Sequence, residues 1–279
     1  MVDTLDVFEA LLSTAERLAK EINAKALVLV YPPAEDLEIN FSGDIIIISR
    51  ESEVSSKKEK KNNVKNLSFP VSIGLQNLLN LISAFLKSRG IADKNEFFVY
   101  VTNESVGVKR IEEKSSISDE FFEKFEKYSN VISRVLEIAI ELSIEGREGM
   151  PVGTIFVIGD TKEVMKHSHQ LVPNPFKGHN LNILDPKVKN VIKEFSFLDG
   201  AFIVSSKGRI IAAGRYLDVD PKSLDVSLPQ GLGSRHLASA AITKVTKAVA
   251  ITLSESGTVR IFKNGRIVFE YNPRLAINL

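Results

Sequence analysis

The chain has 279 residues, of which 44% are hydrophobic and 25% are charged, and its formal net charge is +1. This composition is typical of a globular protein of one large or two ordinary domains, and the charge excludes a general electrostatic attraction to nucleic acid or to an anionic membrane. Because the net charge is near zero, any anion must be held by a local site. Cysteine is absent, which excludes disulfides, thiolate metal sites and cysteine nucleophiles.

The N-terminal part alternates between helical and strand patterns. Apolar residues at three- and four-residue spacing predict an amphipathic helix over residues 5–22, and the acids among them exclude a signal peptide or a membrane span. The apolar runs ALVLVY and DIIIIS predict strands that are buried on both faces. SIGLQNLLNLISAFLKSRG predicts a helix that ends at glycine, and EFFVYVT predicts another strand. Together these elements predict an α/β layer.

A polar, lysine-dense run, ESEVSSKKEKKNNVKN, lies between the second strand and the helix that follows it. We interpret it as a solvated loop. Binding of phosphate or nucleic acid is the alternative, but no aromatic residues are interleaved for base stacking. No apolar run in the chain reaches the ~20 residues that are needed to cross a bilayer, and we expect a cytoplasmic protein.

A long helix is predicted to open the second domain. The run ISDEFFEKFEKYSNVISRVLEIAIELSIEG begins with Ser118 as a candidate N-cap and ends at Gly146. We expect domains at residues 1–115 and 116–279.

The rest of the second domain is dominated by strand patterns. A short helix is predicted near residues 187–195, and hairpins are predicted across Lys207 and Gly208 and across Asn264 and Gly265. The predicted strands are TIFVIG, AFIVSS, GRIIAAG, AVAITL, TVRIF and RIVFEY. Since tight turns join several of them, the second sheet is predicted to be mixed, unlike the first.

The run GLGSRH before an alanine-rich helix is the first candidate site. Gly231 and Gly233 permit positive φ and a close approach to a ligand, and Ser234 is a candidate N-cap. Arg235 and His236 in the first turn oppose the helix dipole, and a bound phosphate would explain their placement. A capped turn with a surface arginine is the alternative, as is a structural role for His236.

Two further runs carry acids. Asp199 lies directly before an apolar strand, and Gly200 and Ala201 leave room beside it. A carboxylate in a phosphate site suits Mg²⁺ or Mn²⁺, which take oxygen ligands and share them with phosphates. The SESG run at residues 254–257 offers hydroxyls and the carboxylate of Glu255. The alternative for each run is an ordinary turn.

These motifs together resemble the diadenylate cyclase domain, which makes the second messenger cyclic di-AMP. The resemblance is carried by DGA with GRIIAAGRYL, then GLGSRH, then SESG in that order, and it covers residues 117–271. EGREGMPVGTIFVIGD and NPFKGH resemble the archaeal form. The N-terminal part is similar to a small α/β domain of pyruvate kinase type. The resemblance implies an α/β fold with two domains. The N-terminal domain would resemble the C-terminal domain of pyruvate kinase and would have a regulatory or assembly task. The catalytic domain would have a central mixed sheet flanked by helices.

The resemblance implies a metal-dependent nucleotidyltransferase. Two ATP molecules, held by facing protomers of a homo-oligomer with Mn²⁺ or Mg²⁺, would each lose pyrophosphate as one ribose 3′-hydroxyl attacks the other nucleotide's α-phosphate. Asp199 would bind the metal or steer the hydroxyl, and Gly200 and Leu217 would line the base pocket. Carried over by position, the catalytic residues are Asp199, Arg235 and His236, the metal ligands are Asp199 and Glu255, and the substrate-binding residues are Gly200, Ala201, Leu217, Gly233, Ser234 and Ser254.

The chain departs from the bacterial pattern at one motif position. Leu237 stands where bacterial members have a second arginine, so one phosphate contact is lost or is supplied by Lys244, Lys247 or Arg215.

Two other functions are weighed against the cyclase. A sensor of the same fold would bind ATP or cyclic di-AMP without catalysis, but it has less need of Asp199. A nucleic-acid scaffold is disfavoured by the near-zero charge. We also disfavour a metal site at His167, His169 and His179, because the sequence shows no acid that completes a ligand set.

Overall fold

The computed structural model describes residues 4–33, 37–49, 63–69, 74–111, 119–224, 226 and 228–276. The chain divides into two compact units, Met1–Ser129 and Asn130–Leu279. Each unit contains one sheet with helices, so the prediction of an α/β fold is confirmed. Among the described helices, none is long and apolar enough to cross a membrane.

The first unit contains a five-stranded sheet in the order β3-β2-β1-β4-β5. Its strands β1 to β4 are parallel, and β5 is antiparallel to β4. The elements are α1 (Thr4–Glu21), β1 (Ala26–Val30), β2 (Asp44–Ser49), β3 (Val64–Ser68), α2 (Leu75–Ser88), β4 (Phe97–Val101) and β5 (Val106–Arg110).

The predicted amphipathic helix is confirmed by α1. Its apolar side chains Phe8, Leu12 and Ala15 are buried in one cluster with Leu27 of β1 and Val99 of β4. Burial of this stripe against the sheet stabilises the helix, because an isolated helix of this length is marginal in water.

Two sequence expectations for the first unit are wrong. The first sheet is mixed, because β4 and β5 pair in antiparallel register through a short turn in which the Thr102 amide donates to the Ser105 carbonyl. The end of the lysine-dense run is also not a loop, since Val64 and Lys65 belong to β3, an edge strand. Residues 51–62 of that run lie outside the described residues.

The second unit contains a seven-stranded sheet in the order β12-β11-β10-β6-β8-β9-β7. Only the β6–β8 pair is parallel among these pairings, so the predicted mixed sheet is confirmed. The elements from α3 onward are α3 (Asp119–Glu145), β6 (Thr154–Ile158), α4 (Thr161–Lys166), β7 (Ser168–Gln170), α5 (Val188–Phe195), β8 (Ala201–Val204), β9 (Ile210–Leu217), a 3-10 turn (Pro221–Leu224), α6 (Ser234–Val245), β10 (Val249–Leu253), β11 (Val259–Lys263), β12 (Arg266–Tyr271) and α7 (Pro273–Ala276).

Both predicted hairpins form, since β8 pairs with β9 and β11 with β12 in antiparallel register. Helix α3 ends as predicted, because Gly146 adopts a φ of 65° while its amide still donates to the Leu142 carbonyl. Ser118, the candidate N-cap, lies outside the described residues. The sequence prediction missed α4 and β7, which are short.

Helix α6 packs on one face of this sheet. Ile155 of β6 and Ile203 of β8 share a buried cluster with Ala240 and Ile242 of α6. Alanines along α6 bring the helix close to the strands. This contact fixes where the helix begins relative to the strand ends.

Candidate active site

Strand register brings the acidic motifs to one edge of the second sheet. Ile155 of β6 lies opposite Ala201 of β8 in parallel register, and Thr154 lies opposite Leu253 of β10 in antiparallel register. The starts of β6 and β8 and the end of β10 therefore coincide. We call this the site edge; it comprises Gly153, Asp199, Gly200 and the turn at residues 254–257. Since strands are spaced by about 4.8 Å, the ends of β8 and β10 lie about 10 Å apart across β6.

Helix α6 begins at the same edge. The Nη1 of Arg235 donates to Oε1 of Glu255 at 3.0 Å, across the gap between the helix and the turn after β10. The Arg235 side chain is 36% exposed and that of Glu255 is 66% exposed. The structure thus brings together three of the predicted site motifs, which are distant in sequence.

Gly153 lies beneath the Arg235–Glu255 pair and was not predicted to belong to the site. A Cβ at Gly153 would lie 2.8 Å from Arg235 Nη1 and 3.2 Å from Glu255 Cγ. The absence of a side chain therefore leaves the space in which the two charged groups meet. In the sequence, the signal was a glycine directly before the strand TIFVIG.

The glycine loop before α6 differs from the sequence expectation in two details. Gly231 has a φ of 88°, as expected, but Gly233 is extended with a φ of −77° and a ψ of −179°. Gly233, not Ser234, is the N-cap, and no described side chain caps the helix there. The Gly233 carbonyl accepts from the His236 amide at 3.0 Å, which makes Ser234 the first helical residue. Gly233 is exposed, with no atom within 4 Å of where its Cβ would stand.

His236 is buried, with 6% of its surface exposed. Its Nε2 lies 3.0 Å from Nη1 of Arg260, and Arg260 Nε donates to Glu270 Oε2 at 2.5 Å. Because a guanidinium only donates, His236 Nε2 is the acceptor and the ring proton is on Nδ1. Burial, and then the charge of Arg260, lower the pKa of His236, so the ring is neutral near pH 7. The His236 side chain is buried beneath α6. Because a direct contact with phosphate would need an exposed ring, His236 is not placed to make one.

Asp199 is exposed at the start of β8, and its Oδ1 accepts from the amide of Gly200 at 3.0 Å. Gly200 has a φ of 98°, and a Cβ there would lie 2.7 Å from the backbone nitrogen of Arg215. Glycine is therefore required by both conformation and space. The close approach of the β9 backbone determines where the Asp199 carboxylate stands.

Ala201 and Leu217, which were predicted to bind substrate, are both buried in the core cluster under α6. Their register places them at the β8 start and the β9 end, next to the site edge. Their contact with a nucleotide stays a prediction.

Ser254 lies in a hydrogen-bonded turn. Its Oγ lies 2.7 Å from Ser256 Oγ and accepts from the Thr258 amide at 3.2 Å. The Gly257 carbonyl accepts from Ser143 Oγ of α3 at 2.5 Å, which anchors the turn to that helix. The turn therefore presents the Glu255 side chain from a fixed backbone.

Comparisons with known proteins show which family the chain belongs to. Residues 141–267 match a family described as "DisA bacterial checkpoint controller nucleotide-binding", and residues 7–116 match one described as "Probable sensor domain DacZ_T". A diadenylate cyclase of Methanocaldococcus jannaschii is 40% identical over 249 residues, which are 83% of this chain and 79% of that protein. A diadenylate cyclase of Haloferax volcanii is 49% identical over 51% of this chain and 53% of that protein.

The chain belongs to the diadenylate cyclase family. The predicted resemblance and the prediction of a nucleotidyltransferase-type enzyme are thereby confirmed at the level of the family. Among solved structures, DacA from Staphylococcus aureus is 19% identical, covering 54% of this chain and 92% of its own, with a TM-score of 0.38. A pyruvate kinase from Cryptosporidium parvum is 18% identical, covering 40% of this chain and 23% of its own, with a TM-score of 0.32.

The three basic residues considered as substitutes for the missing motif arginine lie at different distances from the site edge. They are Lys244, Lys247 and Arg215. Leu237 is half-buried in the first turns of α6. Lys244 lies in the last turn of α6, about 13 Å along the helix from Arg235, and Lys247 lies beyond its end. Arg215 lies nearer the site edge, but it is buried and donates from Nε to Ser168 Oγ at 2.9 Å.

The site edge carries two carboxylates, which are oxygen donors of the kind that Mg²⁺ and Mn²⁺ take. Within the described residues, no group of three or more histidines and acids could hold a metal ion alone. Asp199 and Glu255 are both exposed carboxylates, as Mg²⁺ or Mn²⁺ requires when substrate phosphates complete its shell. His169 pairs with Asp218, with 2.6 Å between Nδ1 and Oδ2, so an acid does lie beside one histidine of the disfavoured cluster.

Proposed function

We propose that the chain condenses two ATP molecules into cyclic di-AMP and two pyrophosphates, with Mn²⁺ or Mg²⁺, in a homo-oligomer that places two site edges face to face. One observation carries the proposal: Arg235, Glu255 and Asp199, from three separate motifs, converge on the edge formed by β10, β6 and β8. Membership of the diadenylate cyclase family supports the choice of substrate and product.

The start of α6 binds the triphosphate in this proposal. Its first amides point out of the helix, and its first turn contains no acid. Arg235 adds a fixed positive charge at the same place. Phosphoryl transfer depends mainly on positioning and charge neutralisation, and these groups supply both. Gly233 and Ser234 contribute backbone that can approach the phosphates closely, and Ser254 holds the outer phosphate.

Asp199 acts at the reacting centre in this proposal. Its exposed carboxylate, fixed by the Gly200 amide, binds the metal or steers the attacking 3′-hydroxyl. Glu255 is the second carboxylate for the metal. A bound Mg²⁺ or Mn²⁺ supplies charge neutralisation of the phosphates. His236 packs beneath the start of α6, where its ring accepts from Arg260. Gly200 and Leu217 line the base pocket, and Ala201 contributes to substrate binding.

Two copies are needed because each chain contributes one such edge. Each 3′-oxygen forms a bond to the α-phosphorus of the other nucleotide, and each α-phosphorus loses its bond to pyrophosphate. Two P–O bonds form and two P–O bonds break, and each 3′-hydroxyl releases its proton to solvent, which gives one cyclic product and two pyrophosphates. We further propose that residues 116–279 are the catalytic domain, that residues 1–115 have a regulatory or assembly task, and that the protein acts in the cytoplasm.

Turnover tests the proposal directly. We would incubate the full chain with ATP and either Mn²⁺ or Mg²⁺ and measure cyclic di-AMP and pyrophosphate by chromatography and mass spectrometry. Two pyrophosphates per cyclic product are expected. ATP binding without product would instead support the alternative of an ATP or cyclic di-AMP sensor.

A substitution at Asp199 tests its role. We expect Asp199→Asn to abolish turnover and retain detectable ATP binding, because the amide keeps the shape but loses the charge. Asp185→Asn is the matched control, since Asp185 is also exposed and its Oδ1 accepts from a backbone amide, that of Lys187, at 2.9 Å. Turnover of Asp199→Asn at the wild-type rate under saturating Mn²⁺ would remove Asp199 from the mechanism.

A further inference from the structure

We propose that the Arg235–Glu255 ion pair couples nucleotide binding to metal binding by exchanging partners. Without ligands, each group neutralises the other; with both ligands bound, Arg235 faces phosphate and Glu255 faces the cation. This inference rests on the proposed function, because it uses the phosphate role of Arg235 and the metal role of Glu255.

The geometry places the two charges in direct contact at the site edge. Arg235 Nη1 and Glu255 Oε1 are 3.0 Å apart, and in the described part of the chain neither side chain forms another ion pair. The pair lies directly over Gly153, whose missing Cβ would stand 2.8 Å from Nη1. The chain therefore holds its proposed phosphate ligand and its proposed metal ligand against each other.

Because the Arg235–Glu255 pair is exposed, little free energy is needed to break it. Water reaches both side chains, which are 36% and 66% exposed, and exposed ion pairs contribute little net free energy. A triphosphate offers the guanidinium bidentate, charge-assisted hydrogen bonds in place of the single one that it donates to Glu255. Opening the pair therefore needs only a modest part of the binding energy of the nucleotide.

The coupling follows from the carboxylate that is left behind. When a metal-free nucleotide draws Arg235 away, Glu255 stands unneutralised beside the phosphates, which repel it. A cation at Glu255 removes this repulsion, so metal should strengthen nucleotide binding. By linkage, the nucleotide must strengthen metal binding by the same factor.

A double-mutant cycle on binding tests the inference without turnover. We would measure the affinity of the wild type, Glu255→Gln, Arg235→Ala and the double variant for a non-hydrolysable ATP analogue by titration calorimetry, in EDTA and in Mn²⁺. In EDTA, we expect Glu255→Gln to bind about two- to fivefold more tightly than the wild type, a ratio in keeping with the loss of one exposed pair. The gain from Mn²⁺ should be smaller in this variant than in the wild type.

The Arg235→Ala background separates partner exchange from general repulsion. There, Glu255→Gln should bring a smaller gain in EDTA than in the wild-type background, because repulsion of the phosphates remains but no guanidinium has to be released. An equal gain in both backgrounds, or no gain in either, would overturn the inference. Glu194→Gln is the control for charge removal, since Glu194 is 65% exposed and pairs with Arg147 at 3.1 Å; it should leave affinity unchanged.

The proposed function has its own separate readout. If the wild type forms product but Glu255→Gln changes the affinity by the same factor in the wild-type and Arg235→Ala backgrounds, only the coupling is overturned. If the cycle shows the expected difference in affinity between the two backgrounds but the wild type forms no cyclic di-AMP, the coupling is supported and the cyclase assignment is overturned.

Discussion

The guanidinium of Arg260 donates to the Nε2 of His236 and so fixes the tautomer of a buried ring. Arg260 also donates to Glu270, which joins α6 to β11 and β12 through side chains. His236 Nδ1 is buried, and no hydrogen-bond partner for it occurs among the described residues. The ring is thus held neutral by its surroundings, and protonation would place a cation beside Arg260.

We expect the protein to lose stability as the pH falls below the ordinary range of histidine titration. Burial, then Arg260 and, more weakly, Arg235 lower the pKa of folded His236, while Gly233 and Glu270 oppose the shift. Between the lowered folded pKa and the unfolded pKa of about 6.5, the unfolded chain binds more protons, so the free energy of unfolding decreases with falling pH. Urea unfolding measured from pH 7.5 downward, in steps of about half a unit across the unfolded pKa of about 6.5, would show this slope.

His236→Gln is the test variant for this dependence. Glutamine does not titrate, so the variant should have a shallower pH slope than the wild type, whatever its absolute stability. His179→Gln is the control, because His179 is exposed. Identical slopes in all three proteins would contradict the neutral, buried assignment of His236.

Gly200 is expected to be intolerant of any side chain. A Cβ there would lie 2.7 Å from the nitrogen and 2.8 Å from the oxygen of Arg215, both backbone atoms that cannot turn aside. Left-handed strain of about 1–3 kcal/mol and overpacking of about 1–3 kcal/mol should combine in Gly200→Ala. We therefore expect a loss of about 2–6 kcal/mol in the free energy of unfolding, measured in urea.

Gly178→Ala separates strain from crowding. Gly178 has a φ of 84°, and nothing lies within 4 Å of where its Cβ would stand. This variant should lose only the strain component, about 1–3 kcal/mol. Equal losses in the two variants would show that the β9 backbone does not crowd Gly200.

Sequence patterns predicted most of the strands because the physical signal is local. ALVLV and DIIII are continuous apolar runs, and the structure buries them as β1 and β2. β3, with the sequence VKNLS, was missed because an edge strand needs no continuous apolar run. β5 was also missed, because the Thr102–Ser105 turn before it contains neither glycine nor proline to indicate a hairpin.

The sequence indicated which residues belong to the candidate site but not which of them are in contact. Asp199, Arg235 and Glu255 were proposed from their motifs, but their common edge depends on the strand order β10-β6-β8, which joins distant parts of the chain. The ion pair between Arg235 and Glu255 has the same origin. The burial of His236 under α6 depends on packing from β11, which the helix pattern alone does not contain.

A buried hydroxyl pair holds the start of α6 to β10. Ser239 Oγ and Thr252 Oγ1 are 2.7 Å apart, and both side chains are fully buried. Ser239 lies four residues after Arg235, on the same face of the helix. Thr252 lies three residues before Glu255, so this hydrogen bond helps to set the spacing of the ion pair.

Removal of one hydroxyl should cost more than removal of both. Thr252→Val leaves Ser239 Oγ buried without its partner, and we expect the free energy of unfolding to fall by about 1–3 kcal/mol. The double variant Ser239→Ala with Thr252→Val removes both polar atoms and should recover most of that loss. Urea unfolding of the two single variants and the double variant measures the interaction energy, and strictly additive losses would contradict a direct hydrogen bond between α6 and β10.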